Sequence, residues 1–277
     1  MCPDIPKRII QTGKSLSLPL QDRAAVANLK LINPDFEYLF FDDARVQVFV
    51  NDNFPQYRSI FDSFRYPIQK YDFFRYLAIY RYGGFYFDLD VLLAENLSEL
   101  LQNKCVFSFE GLTYSRFLRD RFGMDWQIGN YGFGAAAGHP FLAAVIDNCV
   151  RAQKEPKWVE PMMKGVPLLS KNEFWILNTT GPGLLSRTLA EEPVIARDVK
   201  VLFPEDVCDV KLWNQFGNRG VHLMSGSWRF RHAFLRRRLA IFCEDRRLAQ
   251  LLRESAKLGR KRVRPTSAAH LIALPVA

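Results

Sequence analysis

From residue 66 to residue 93 the chain reads YPIQKYDFFRYLAIYRYGGFYFDLDVLL, a helix pattern and a strand pattern joined by a double glycine. A helix starting after Pro67 is predicted to stop at Gly83 and Gly84, because glycine accepts a left-handed conformation cheaply. The chain then runs straight into an apolar strand. The amino-terminal part has the same grammar. IPKRIIQ (5–11) reads as a strand, and LQDRAAVANLKLINP as a helix with its apolar spacing at Ala24, Ala27 and Leu31, ended by Pro34. FEYLFF (36–41) reads as a second buried strand, with Asp42 and Asp43 capping a helix that begins near Ala44. Strand–helix–strand order predicts parallel pairing in an α/β fold. Further strands are expected at 104–110, 199–204 and 220–224. Helices are expected at 138–153, and after Pro182 within 179–192. His139 reads as a helix-boundary residue. The small residues of IGNYGFGAAAG either serve a site or only permit close packing, and both readings stay open.

Inside that apolar strand sit two carboxylates, Asp88 and Asp90. A buried carboxylate without a partner is costly, so something must meet the charge. Positions i and i+2 on a strand share a face, about 6.6 Å apart. If the strand ends near Asp88, the pair reaches the sheet rim. Two hard oxygen donors there suit Mg²⁺ or Mn²⁺, which leave coordination positions for water and phosphate oxygens. Capping or turn acids are the plainer alternative, and a DxD pair alone does not decide between them.

The 277 residues allow one large domain or one domain with an appended helical part. No run reaches the ~18 apolar residues of a membrane span. The opening MCPDIPKRII lacks the apolar region of a signal peptide. Five widely spaced cysteines with no CxxC pair fit a reducing cytosol better than a disulfide or zinc framework. The net charge of +9 is concentrated in one place. Residues 229–264 carry thirteen Arg and Lys against three acids, a surplus of ten that leaves the remainder near −1. The expected organisation is therefore a core over 1–228 and a basic helix and tail over 229–277. Such a segment attracts phosphate-rich surfaces, lipid headgroups or nucleic acid, with a solvated helix face as the plainer alternative; a cytoplasmic protein touching the inner face of a membrane through 229–264 is expected.

The Asp-x-x-Arg helix, the double glycine and the DxD strand over 72–91 resemble, in order and spacing, the DxD-containing sugar transferases of glycosyltransferase family 32. That family includes α-mannosyltransferase-like and capsule-type enzymes and is related to the catalytic core of the clostridial glucosylating toxins. The similarity runs from IPKRIIQTGK to HLMSGSW, about residues 5–228, although Gly13 stands where the family commonly has tryptophan. The resemblance implies an α/β fold of the GT-A nucleotide-sugar-binding type, with a mostly parallel central sheet and helices on both faces. It also implies divalent-metal-dependent, retaining transfer of a hexose or N-acetylhexosamine from a UDP- or GDP-linked donor to a glycan or lipid-linked acceptor.

Site roles follow from the same resemblance. Asp90 binds the metal directly, Asp88 touches the ribose and the metal, and His222 is a third ligand, with Mn²⁺ favoured over Mg²⁺. Asp72 and Arg75, on one helix face, bind the donor sugar. Gln11 and Thr12 approach the nucleotide, and Ser227 and Trp228 the leaving phosphate. Asn130, Asp125 and Thr180 lie toward the acceptor, with Asp125 the acid to test as a base. Two other readings stay open. One is a toxin-like effector that glycosylates a protein. The other is a nucleic-acid-binding protein, disfavoured because the aromatics lie in the near-neutral body rather than among the basic residues. No nucleic-acid partner is expected.

Overall fold

The computed structural model describes residues 4–224. The basic segment and Ser227 and Trp228 lie outside the described residues. Described elements follow in chain order as β1 (Arg8–Thr12), α1 (Leu20–Ile32), β2 (Glu37–Phe41), α2 (Asp43–Asn53), α3 (Arg58–Ser63), α4 (Pro67–Tyr82), β3 (Gly84–Phe87), β4 (Val91–Leu93) and β5 (Cys105–Leu112). Then come α5 (Arg116–Phe122), β6 (Trp126–Ala135), α6 (Pro140–Lys154), α7 (Pro156–Met163), α8 (Lys171–Thr179), α9 (Pro182–Glu191), α10 (Pro193–Ala196), β7 (Val199–Leu202) and β8 (Gly220–His222).

Six strands form one sheet in the order β2-β1-β3-β6-β5-β7, and β4 pairs with β8 in a separate two-stranded ribbon. Three of the five pairings in the large sheet are parallel, β1 with β2 and β3 and β5 with β7, while β6 runs against both its neighbours. Strand side chains alternate between faces, and here both faces are covered. Ile10, Tyr86 and Phe107 enter a core with residues of α2, α4, α6 and α9. Ile9, Phe85, Phe87 and Val106 enter a second core with Leu29 of α1. This two-faced burial makes the central strands nearly continuous apolar runs, and the architecture is the α/β type expected.

Two expectations are corrected. The buried side of α1 is Ala25 and Leu29, and Leu31 is 79% exposed, so the apolar spacing at Ala24, Ala27 and Leu31 marks the solvent side. β2 is the sheet edge and only half-buried. IGNYGFGA forms β6, which runs through the middle of the sheet. Gly134 is a steric necessity there: a Cβ on it would stand 2.6 Å from Phe85 Cε1.

Where α4 hands over to β3 the structure follows the sequence closely. Gly83 takes φ 67° as the helix C-cap, and Gly84 takes φ 107° with Arg8 packed against its Cα. His139 caps α6, its Nδ1 accepting from the Phe141 amide.

Candidate metal and donor-sugar site

β3 ends at Phe87, so the two aspartates do not lie on one strand face. Asp88 and Asp90 flank a tight turn that leaves the large sheet and enters β4 of the small ribbon. Gln11, fully buried on β1, braces the turn. Its Nε2 donates to the Phe87 and Asp88 carbonyls at 3.3 and 3.2 Å, and its Oε1 accepts from the Tyr38 hydroxyl. The Asp88 amide donates to the Tyr131 carbonyl at 2.7 Å. The Thr12 hydroxyl donates to the Phe41 carbonyl. The side chains of Gln11 and Thr12 are thus committed inside the protein, where they shape the rim.

Register brings in the third group. Val91 pairs with His222 across the antiparallel ribbon, and the Leu223 amide donates to the Asp90 carbonyl. His222 Nε2 lies 3.3 Å from Asp90 Oδ1, and its ring stacks on Tyr131 with centroids 4.4 Å apart. Asp88, Asp90 and His222 each offer one ligand atom within 4.8 Å of the others. Two carboxylates and an imidazole are a donor set of the kind that holds a divalent cation. His222 Nδ1 is buried with no hydrogen-bond partner among the described residues, which fits a group awaiting a ligand. Burial pulls the His222 pKa down, but hydrogen bonding to Asp90 and the fields of Asp88, Asp90 and Glu110 outweigh it and leave the imidazole above its ordinary 6.5.

Behind the turn lies a buried charge network. Arg75 reaches Asp72 Oδ1 through Nη2 and Asp88 Oδ1 through Nη1, both at 3.0 Å, and donates to the Asn130 carbonyl at 2.7 Å. Its guanidinium lies over the Tyr86 ring, 4.6 Å from the centroid. Asp72 also accepts from Asn130 Nδ2 at 3.0 Å and from the Thr180 hydroxyl at 2.9 Å. Burial raises the Asp72 pKa against the pull of Arg75 and the Thr180 hydroxyl. A β-bulge makes this geometry possible: the β5–β6 register jumps between Phe107↔Phe133 and Ser108↔Gly129. The residues between are re-aimed, as bulges beside functional sites commonly do. Asn130 thereby meets Asp72, while Tyr131 and Phe133 enter opposite cores.

The structure therefore brings together Asp72, Arg75, Asp88, Asp90, Asn130 and His222. Thr180 joins them, but its fully buried hydroxyl is held by Asp72 and so braces the network rather than facing an acceptor. Asp125 does not join them. It is exposed before the first residue of β6, five positions from Asn130 and on the order of 15 Å away along the strand.

Residue-by-residue reasoning missed Tyr86, whose hydroxyl donates to Asp88 Oδ1 at 3.0 Å. Its position two before Asp88 was the available signal. It also missed Tyr131. Asp22, which feels the charge of Asp90, and Glu110, whose charge is felt at His222, were missed as well; nothing in their local sequence marks them.

Comparison with known proteins bears out the resemblance. Residues 19–107 match the family described as "Glycosyltransferase sugar-binding region containing DXD motif". The chain is 33% identical over 147 residues to Inositol phosphoceramide mannosyltransferase 3 of Schizosaccharomyces pombe, covering 53% of this chain and 38% of that protein. It is 29% identical over 213 residues to Inositol phosphoceramide mannosyltransferase 2 of the same yeast, covering 74% and 54%. The chain thus spans about half the length, or less, of these relatives. Among solved structures, PaToxG Glycosyltransferase matches at 13% identity and TM-score 0.45, covering 69% of this chain and 71% of that one.

Proposed function

We propose that this chain, whose residues 19–107 belong to the DXD-containing glycosyltransferase family, transfers a hexose from a nucleotide-diphosphate sugar to a phosphoinositol-bearing lipid. Mannose is the first sugar to consider, because the yeast relatives are named as mannosyltransferases of inositol phosphoceramide. The observation that carries the reading is the convergence of Asp88, Asp90 and His222 beside the Asp72–Arg75 pair.

Asp88, Asp90 and His222 would hold a divalent ion, Mn²⁺ in preference to Mg²⁺. When bound, such an ion neutralises the charge of a pyrophosphate leaving group. Arg75 fixes Asp88 in place and offers a buried cation beside the developing phosphate charge, the kind of preorganised electrostatics that lowers a barrier without reorganisation. Asp72, buried and held by Arg75, Asn130 and Thr180, fixes the orientation of Arg75 behind the ion site. Asn130 shares its amide with Asp72 and its carbonyl with Arg75, so both donor-sugar residues keep one orientation. Retention of anomeric configuration is part of the proposal and rests on the family resemblance. Membrane contact through the basic 229–264 segment suits a lipid acceptor.

The test is a screen of GDP- and UDP-linked sugars for Mn²⁺-dependent hydrolysis, followed by NMR of the anomer released onto a phosphoinositol lipid. A donor hydrolysed by the native protein and not by Asp90→Asn supports the reading. No metal-dependent binding or turnover of any nucleotide sugar would sink it. Transfer to protein instead of lipid would move the acceptor class.

A further inference from the structure

Asp88 follows a strand of the large sheet and His222 lies in the small ribbon, yet one buried residue contacts both. It is Tyr131, in the middle of β6. The Asp88 amide donates to its carbonyl at 2.7 Å. Its ring carries the His222 imidazole, with centroids 4.4 Å and planes 17° apart. Its hydroxyl donates to the Gln215 carbonyl at 3.1 Å, and Gln215 bridges to Val221, the neighbour of His222 in β8. The ring has nowhere else to go. It is buried, and it shares the space over Gly129 with Glu110: a Cβ there would stand 2.8 Å from Tyr131 Cε1 and 2.4 Å from Glu110 Oε2.

We propose that Tyr131 is a positioning residue of the ion site, whose ring holds the His222 imidazole in the plane in which it can ligate a divalent cation together with Asp88 and Asp90. The torsion that turns a histidine ring is broad. Strand pairing therefore places the His222 backbone without fixing its ring.

Before a cation enters, the ring is also tied through Nε2 to Asp90 Oδ1 at 3.3 Å. A cation taken up by that nitrogen replaces the tie. Ligand histidines are ordinarily oriented by a hydrogen bond from their second nitrogen, but Nδ1 of His222 has no such partner among the described residues. The contact that survives is the stack on Tyr131, so here an aromatic face takes the place of the usual hydrogen bond. This role rests on the proposed ion site; the stacking of the two rings does not.

Mn²⁺ alone is titrated into the full chain and the free ion is counted by electron paramagnetic resonance. Tyr131→Leu is expected to weaken binding about tenfold or more. Tyr131→Phe keeps the ring and loses only the bond to Gln215, so it should bind as the native protein does. Gly134→Ala, a core change away from His222, should keep the native affinity and so separates a loss of stability from a loss of positioning. If Tyr131→Leu does not fold, proton NMR of the native chain decides. The His222 ring protons, identified by their loss in His222→Ala, should lie upfield through the ring current of Tyr131. They should stay there in Tyr131→Phe and when diamagnetic Mg²⁺ saturates the site. Unshifted protons, an upfield shift lost on saturation, or Tyr131→Phe binding as weakly as Tyr131→Leu would each overturn the proposal. Mn²⁺ bound through His222 with Tyr131→Leu unaffected removes this proposal and leaves the ion site standing. A native chain that binds no Mn²⁺ removes both.

Discussion

Replacing Arg75 with methionine tests whether the site's charge network is a structural liability held in check by one side chain. The guanidinium is 3% exposed and the Asp72 carboxylate 5%, while the Asp88 side chain is 28% exposed. Asp88 can therefore turn to water when Arg75 is gone, but Asp72 cannot. Breaking a buried pair by removing one partner costs about 3–5 kcal/mol. The surviving bonds from Asn130 and Thr180 favour the lower end, about 3 kcal/mol. For a domain of this size that corresponds to roughly 6–12 °C in Tm. Urea unfolding followed by circular dichroism measures it, with an unchanged m-value showing that the native state stays compact. Asp72→Asn/Arg75→Met removes both charges and keeps a polar group for Thr180, so it should recover most of the loss. A single variant costing under ~1 kcal/mol, or a double variant worse than the single, would refute the reasoning.

Three further outcomes are expected. Asp88→Asn, Asp90→Asn and His222→Ala should each abolish Mn²⁺-dependent stabilisation and lower kcat/KM for donor hydrolysis by about 100-fold or more, as shown by thermal shift and product release. Gly134→Ala should destabilise by about 1–3 kcal/mol through collision with Phe85, read by urea denaturation, with the metal affinity of the folded fraction intact. Because the His222 pKa is raised above 6.5, its contribution to the metal-free protein is full below 6.5 and is lost as pH rises through the raised value. Binding a cation requires that proton to leave, so the stabilisation by Mn²⁺ should grow over the same interval in a pH series of melts.

The parts of the fold legible in the sequence are those with local chemistry. Pro67, Gly83 and Gly84 announce α4 and its hand-over to β3, and Asp42 announces α2. β6 was hidden because Gly129, Gly132 and Gly134 have no side chains to alternate and a bulge breaks the period of two. Its strand character comes from the neighbours it fits between. α1 misled because Ala24, Ala27 and Leu31 face solvent, whereas Ala25 and Leu29 pack inward. In the site, the aspartates, Arg75 and His222 were legible from spacing and family pattern. Tyr131 and Glu110 reach it through strand pairings set by the whole sheet.

The ligand set is divided between a strong and a weak piece of structure. Asp88 hangs from the interior of a six-stranded sheet, but His222 belongs to a ribbon of two three-residue strands, a scale of pairing that is marginal by itself. The cheapest fluctuation at this site is therefore parting of that short ribbon, with the cores intact. One such opening would carry the imidazole away from both carboxylates at once. Under the proposed function, product release would then need a local breath of the backbone rather than unfolding.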